Sequence, residues 1–173
     1  MTRILGIDPG SQAMGYGIID ISGNHATHVD NGVIRIQGQP LPDKLRTIFE
    51  RLHAIIDEYQ PAEMSIEKVF MHRNADSALK LGQARGAAIT ACAVRGIETF
   101  EYTATQVKQA SVGNGHAAKQ QVQHMVKVLL CLDRKPPSDA SDALAIALCH
   151  GHSRQSILKM DAGITGISRG RMR

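Results

Sequence analysis

Four carboxylate residues stand at positions from which they could act together on one substrate. Asp8 and Glu67 each close an apolar run, and Asp139 and Asp142 lie three residues apart at the start of a late helical pattern. Two unit charges about 4 Å apart repel by roughly 4 kcal/mol at an effective dielectric near 20, so a cluster of these groups needs cations. The pattern is typical of metal-dependent phosphodiester hydrolysis.

Each acid also has an ordinary structural explanation. Asp8 precedes a Pro-Gly pair and could begin a turn, and Glu67 could be an exposed charge at a strand end. Asp139 and Asp142 could cap free N–H groups and complement the dipole in the first turn of a helix. Independent turns and caps have no reason to fall where one fold would bring them together, so the coincidence favours a metal site.

Magnesium suits such a site because it prefers oxygen ligands at about 2.1 Å and keeps several waters, which leaves room for phosphate oxygens. We predict two Mg²⁺ ions, with Mn²⁺ able to replace them, since paired ions stabilise both the incoming and the departing oxygen of an in-line displacement. Asp8 is assigned as the bridging ligand, and Glu67 with the Asp139 and Asp142 pair completes the two sites. No serine–histidine or cysteine–histidine pairing at this edge is predicted, so a covalent mechanism has little support.

The apolar runs predict an α/β fold with a mixed sheet. Three consecutive strands with short connections form an antiparallel meander, and a helix then leads back to a fourth strand that must lie parallel to the first. The predicted strands are residues 3–8, 15–21, 27–36, 62–70 and 97–102, and the predicted helices are residues 41–59, 74–95, a short helix after a Thr103–Gln106 capping box, one around residues 122–130, and one from residue 139 to about 150. This is the order of a ribonuclease H-like fold, a five-stranded mixed sheet whose first three strands are antiparallel, flanked by helices. It places all four acids at one sheet edge if the last helix begins beside the first strand.

Size and composition predict one nuclease domain with a basic tail. A chain of 173 residues with 43% hydrophobic content can bury one sizeable core, which we assign to residues 1–155, while residues 156–173 are predicted to be a flexible tail. The first residues are too short for a signal peptide and no apolar run reaches membrane-spanning length, so we expect a cytoplasmic protein with no membrane partner. The three cysteines suggest neither a disulfide framework nor a zinc site.

Positive charge is concentrated in the second half of the chain. The net charge is +4 with a pI of about 9.1, and basic residues outnumber acids both between residues 105 and 135 and beyond residue 151. Such clusters could bind a polyanion through counterion release, although solvated helix faces explain them equally well.

Several long segments resemble the RuvC family of bacterial crossover junction endodeoxyribonucleases. They are residues 4–11, 69–71, 74–86, 106–109 and 139–145. The resemblance implies a homodimer that resolves four-way Holliday junctions by paired symmetric nicks, needs magnesium, and uses Asp8, Glu67, Asp139 and Asp142 as catalytic acids. It further implies a branch-migration helicase complex, RuvA and RuvB, as a partner.

The same resemblance implies DNA contacts for three residues. Lys108 and Lys119 match basic positions that contact the DNA backbone, and Phe70 matches an aromatic residue that engages the opened junction centre. From the residues alone, Phe70 could stack on an unpaired base or simply pack at a strand end. Lys68 stands where the family often carries Gln, a difference that bears on the cleavage-sequence preference and leaves the metal chemistry intact.

Other interpretations remain open at this stage. Actin-like sugar kinases and ATPases also begin with a strand, an Asp and a Gly-rich turn for phosphate, though they normally use two such domains. A catalytically silent junction-binding module would need the basic patches but not the acids. In the second helix, Gly82 and Gly86 belong to a stripe of small residues that permits docking on the sheet or on a second subunit. His150 and His152 are assigned to a solvated helix end, with the metal edge as the alternative.

Overall fold

The central strand of the sheet carries the first of the four acids. We analysed a computed structural model, which describes residues 1–68 and 75–164, with side chains described to residue 154. The sheet has five strands in the order β3-β2-β1-β4-β5. Their bounds are β1 Thr2–Asp8, β2 Ala13–Ser22, β3 His25–Arg35, β4 Glu63–Glu67 and β5 Glu98–Tyr102. Strands β1, β2 and β3 are antiparallel and β4 and β5 are parallel to β1, which confirms the predicted fold class.

Helices cover both faces of the sheet. Their bounds are α1 Leu41–Tyr59, α2 Ala75–Ala93, α3 Ala104–Val112, α4 Lys119–Leu129 and α5 Ser138–Ile164. Alternate residues of β1 serve two cores, because successive side chains of a strand point to opposite faces. Leu5 and Ile7 pack with α1 and α2, and Ile4 packs with α3, α4 and α5. The predicted capping box is confirmed at the start of α3, where the Thr103 side chain accepts a bond from the Gln106 N–H and the Gln106 side chain accepts one from the Thr103 N–H.

Glycine residues let α5 approach the centre of the sheet. A Cβ atom at Gly6 would come within 3.0 Å of the Ala143 carbonyl oxygen, and one at Gly15 would come equally close to the Asp139 carbonyl oxygen. Real Cβ atoms essentially never lie so close to a backbone oxygen, so any larger residue would push the helix away. The helix therefore begins directly over the end of β1, which positions the last two acids.

Helix α5 is longer than the sequence pattern predicts. It was expected to end near His150, yet it continues to Ile164. No proline interrupts this stretch, and Gly151 is accommodated because its missing Cβ leaves room for the Ile21 side chain. Part of the predicted tail, residues 156–164, is therefore helical, and residues 165–173 lie outside the described part of the chain. None of the helices in the described ranges combines the length and apolar character of a membrane span.

Candidate active site

Three of the four predicted acids converge at the end of β1. Carboxylate oxygens of Asp8, Asp139 and Asp142 lie within 4.8 Å of one another. Asp8 comes from the last position of β1. Asp139 lies in the first turn of α5, and Asp142 follows three residues later, hence on the same helix face. Two distant parts of the chain thus supply one carboxylate cluster.

Glu67 lies beside this cluster rather than within it. Strands β1 and β4 are parallel, and Ile7 pairs with Ile66. Asp8 and Glu67 are the next residues of these two strands, so they lie side by side on the same face and at the same edge of the sheet. Glu67 lines a cavity of about 230 Å³ together with Asp142. The negative charge of Glu67 also acts on Asp8, which places all four acids within electrostatic range.

Burial and mutual repulsion disfavour the simultaneous ionisation of the carboxylates. Burial raises the pKa of Asp8 to about 8, and the charges of Asp142, Glu67 and Asp139 add to that effect. Burial also raises the pKa of Glu67, with a further contribution from the charge of Asp142. Folding therefore assembles a site in which negative charge is disfavoured until a cation neutralises it.

The chemistry of the ligand set fits a hard divalent cation. The three groups of the cluster are all carboxylates, and within the described residues no histidine or cysteine belongs to it. Oxygen-only sites suit Mg²⁺, Ca²⁺ and Mn²⁺, whereas zinc and copper sites usually include nitrogen or sulfur ligands. The site is thus suited to the class of ion that the sequence predicts.

Both predicted DNA-contact lysines lie at this site. Lys108 from α3 and Lys119 from α4 line the same cavity as Glu67 and Asp142. The Lys119 ammonium nitrogen is 2.5 Å from an oxygen of Asp142. Burial lowers the pKa of Lys119, but this hydrogen bond and the surrounding carboxylate charges outweigh that effect and raise it. Phe70, the third predicted contact, lies outside the described residues.

Arg85 is a residue at the site that sequence reasoning missed. Its Nε donates a 3.2 Å hydrogen bond to the Glu67 carbonyl oxygen, and its guanidinium group pairs with Glu101 at 2.8 Å. The arginine thus ties α2 to the end of β4 and to β5. Arg85 falls within the segment 74–86 that carries the family resemblance, but only the docking of α2 shows which backbone group it holds.

His150 occupies a different place from the one predicted. It is 1% exposed rather than solvated. Its Nε2 lies 2.8 Å from Glu63 and its Nδ1 lies 2.7 Å from the Tyr102 hydroxyl. Because Glu63 begins β4 and Glu67 ends it, this network is at the opposite end of the strand from the acids, so neither earlier assignment of His150 is correct. The helix continues past His150, so His150 is not at a helix end, and His152, two residues further on and on a different face, is exposed.

The polar network of His150 fastens α5 to the sheet. Burial lowers the pKa of His150 and the Glu63 carboxylate opposes that effect, with a net lowering. A neutral ring satisfies both neighbours when Nε2–H donates to Glu63 and Nδ1 accepts from the Tyr102 hydroxyl. Arg154 completes the network by donating to the second Glu63 oxygen at 2.9 Å. This contact and the glycine contacts together set where the acids of α5 lie.

Comparison with known proteins shows the same family along the whole chain. A family model described as crossover junction endodeoxyribonuclease RuvC matches residues 4–150. Proteins of that name from Marinobacter nauticus and Pseudomonas fluorescens are 55% and 56% identical over 173 residues, with 100% of this chain and 99% of each relative covered.

Solved structures give the same result. A structure described as T. thermophilus RuvC in complex with Holliday junction substrate is similar at 33% identity and a TM-score of 0.85, covering 90% of this chain and 96% of that one. The yeast mitochondrial Holliday junction resolvase Ydc2 shares the fold with a TM-score of 0.59 at 13% identity, covering 92% of this chain and 86% of that one.

Proposed function

This chain belongs to the crossover junction endodeoxyribonuclease RuvC family, and we propose from this membership how it resolves Holliday junctions. It is an endonuclease acting on four-way junction DNA, in line with the full-length similarity to a RuvC solved with its junction substrate. The observation that carries the mechanism is the convergence of Asp8, Asp139 and Asp142 within 4.8 Å, with Glu67 beside them. A phosphate-binding kinase domain is not favoured by these similarities.

The proposed metal ligands are Asp8, Glu67, Asp139 and Asp142, holding two Mg²⁺ ions that Mn²⁺ can replace. When bound, such ions activate a water molecule and stabilise the charge that develops on the phosphate oxygens. Asp8 has the central place, because it lies on the central strand and is affected by the charges of the other three acids. Asp8 is partly buried, and its burial and acidic neighbours disfavour its charge until a cation binds there.

The proposed DNA contacts are Lys108, Lys119 and Phe70. Lys108 lines the cavity beside Glu67 and, within the described residues, forms no ion pair with a carboxylate, so its ammonium group is available to a phosphate. Lys119 lines the same cavity and forms an ion pair with Asp142. The role of Phe70 rests on the family resemblance alone.

We propose a homodimer, because a two-fold symmetric enzyme presents two identical sites to the two equivalent strands of a junction. Helix α2 supports this proposal. A Cβ atom built at Gly82 or Gly86 meets nothing within 4 Å, so packing inside the described chain does not explain these helix-interior glycines. Leu79 on the same helix is 61% exposed. A second copy docked on α2 would account for both features.

Two further proposals rest on family membership alone. The protein would act in the bacterial cytoplasm, and it would work with the branch-migration helicase complex of RuvA and RuvB. Adding RuvA and RuvB to a junction-resolution assay tests the partnership, with a faster or more complete resolution expected. Unchanged resolution at every helicase concentration would contradict it.

The direct test uses labelled four-way and linear duplex DNA with and without Mg²⁺. The unmodified protein is expected to nick the junction in paired positions only when the metal is present. Asp8→Asn should bind the junction but not cut it, whereas Asp43→Asn, a change at an exposed carboxylate on α1, should cut normally. Cutting by Asp8→Asn would remove this residue from the mechanism, and junction binding without cutting by the unmodified protein would indicate a silent binding module.

A further inference from the structure

The ion pair between Lys119 and Asp142 occupies one of the proposed metal ligands. The Lys119 Nζ atom lies 2.5 Å from Asp142 Oδ2, within hydrogen-bond distance. Asp142 shares the cluster with Asp8 and Asp139, and the charge of Lys119 acts on both of those carboxylates as well. One lysine is therefore a positive charge placed against the whole cluster.

The position of Lys119 in its own helix gives no reason for a cation there. Lys119 is the first residue of α4, where the helix dipole presents partial positive charge and a lysine is unfavourable. The first turn of α4 contains no acid, and Ala118 before it provides no side-chain cap. Helix stability thus argues against lysine at this position, and the carboxylates of α5 are what favours it.

The ion pair is also not needed to join the two helices. Gln123, one turn further along α4, is buried and donates a 3.0 Å hydrogen bond to the Ser138 hydroxyl at the start of α5. Hydrophobic residues of both helices share one core, among them Val126 and Leu144. The α4–α5 contact therefore has its own supports, and the ion pair can open without separating the helices.

The two partners differ in freedom of movement. The Lys119 side chain is 59% exposed, whereas that of Asp142 is 21% exposed. A lysine ammonium on a flexible four-carbon stem can change partner without backbone movement. Asp142 is held near Asp8 by the docking of α5 on the sheet. The carboxylate is the fixed member of the pair and the lysine is the mobile one.

We propose that Lys119 is the resident counter-cation of the metal-free site: its ammonium group holds Asp142 until a divalent cation binds that carboxylate, and is then free to pair with a DNA phosphate. This inference rests on the proposed function, because it takes Asp142 as a metal ligand and Lys119 as a phosphate contact. It adds that the two roles exclude each other on one carboxylate. Metal loading and the phosphate contact of Lys119 are thereby coupled.

The coupling has a measurable consequence for metal affinity. Lys119 competes with the metal ion for Asp142, and its positive charge also repels the metal ion. Removing this charge should therefore tighten metal binding in the absence of DNA. We expect Lys119→Met to bind Mn²⁺ at least tenfold more tightly than the unmodified protein. Lys119→Arg keeps the charge, and its metal affinity should be equal to that of the unmodified protein or weaker.

Lys108→Met is the matched control. It removes the same charge from the same cavity, but from a lysine with no ion pair among the described carboxylates. Its effect on Mn²⁺ affinity comes only from longer-range repulsion and should be less than about threefold, since charge interactions weaken with distance and screening. The difference between the two variants isolates the direct competition at Asp142.

The experiment is calorimetric titration of Mn²⁺, without DNA, into five proteins: the unmodified protein, Lys119→Met, Lys119→Arg, Lys108→Met and Asp8→Asn. A Lys119→Met affinity within twofold of the unmodified protein, or no tighter than that of Lys108→Met, would overturn the inference and leave the proposed function intact. If the unmodified protein binds no Mn²⁺, or Asp8→Asn binds it equally well, the proposed function itself fails. Lys119→Gln replaces Lys119→Met if the latter does not fold.

Thermal unfolding separates this role from a purely structural ion pair. Without metal, Lys119→Met should have a lower melting temperature than the unmodified protein. Saturating Mn²⁺ should raise the melting temperature of Lys119→Met by more than that of the unmodified protein, because stabilisation by a ligand grows with affinity. An ion pair that only supports the fold would lower both melting temperatures equally. Equal shifts on Mn²⁺ addition would therefore contradict the inference.

Discussion

Replacing Asp8 with asparagine should make the metal-free protein more stable. Burial and the neighbouring carboxylates raise the pKa of Asp8 from 3.8 to about 8 in the folded protein. As the pH rises above about 4, the unfolded chain loses this proton before the folded protein does, so the free energy of unfolding falls until the pH passes about 8. At pH 7 the accumulated loss is about 4 kcal/mol, at about 1.4 kcal/mol per pH unit.

Part of that energy is not recovered in Asp8→Asn. The amide remains a buried polar group, and an unpaired one costs about 1–3 kcal/mol. We therefore expect the free energy of unfolding at pH 7 in EDTA to rise by about 1–3 kcal/mol. The gain should shrink as the pH is lowered and vanish at about pH 4.5–6, where the loss accumulated from Asp8 no longer exceeds the cost of the buried amide.

Urea unfolding followed by circular dichroism at several pH values measures this effect. The midpoint should move while the slope with urea stays constant, which shows a change in stability rather than in the denatured state. Asp43→Asn, at an exposed carboxylate, should stay within about 0.5 kcal/mol of the unmodified protein. Lower stability of Asp8→Asn at pH 8 in EDTA, or a gain independent of pH, would show that the folded protein does not disfavour the charge of Asp8.

Three further changes test the fold and the dimer. Gly6→Ala places a Cβ against the Ala143 carbonyl, so α5 should shift and the free energy of unfolding measured in urea should fall by about 1–3 kcal/mol or more. An unchanged urea midpoint would contradict this docking. Gly86→Leu points into open space within the described chain, so circular dichroism should show an intact fold while sedimentation shows monomers; a stable dimer would place the interface elsewhere. His150→Ala leaves the buried Glu63 bond unmade and should lower thermal stability, and an unchanged melting temperature would show that the network does not fasten α5.

The central part of the fold and most of the site were predictable from the sequence. Apolar runs and short turns define the order of the strands, and a crossover connection requires β4 to lie parallel to β1. Once that pairing is known, Asp8 and Glu67 must come to the same edge. The acids of α5 could be placed beside them only conditionally, because the glycines that admit the helix have their effect in three dimensions.

Contacts between helices were the part that the sequence could not predict. The end of α5 was misplaced because neither proline nor an isolated glycine stops it, and His150 was therefore assigned to an exposed helix end. The Lys119 contact depends on how α4 is rotated against α5, which a helical repeat does not specify. Arg85 donates a hydrogen bond to a backbone carbonyl oxygen, and the pattern of residue types in a sequence does not indicate which backbone group a side chain will contact.

We propose that four carboxylates hold divalent ions at the end of β1. Crystals grown with Mn²⁺ and measured at its absorption edge would show where the ions bind, because the anomalous signal locates each ion independently of the protein. We predict two ions about 3.5–4 Å apart, bound by Asp8, Glu67, Asp139 and Asp142. If the protein cuts junctions in the same Mn²⁺ buffer while its crystals show no ion at this cluster, the four carboxylates are not the metal site.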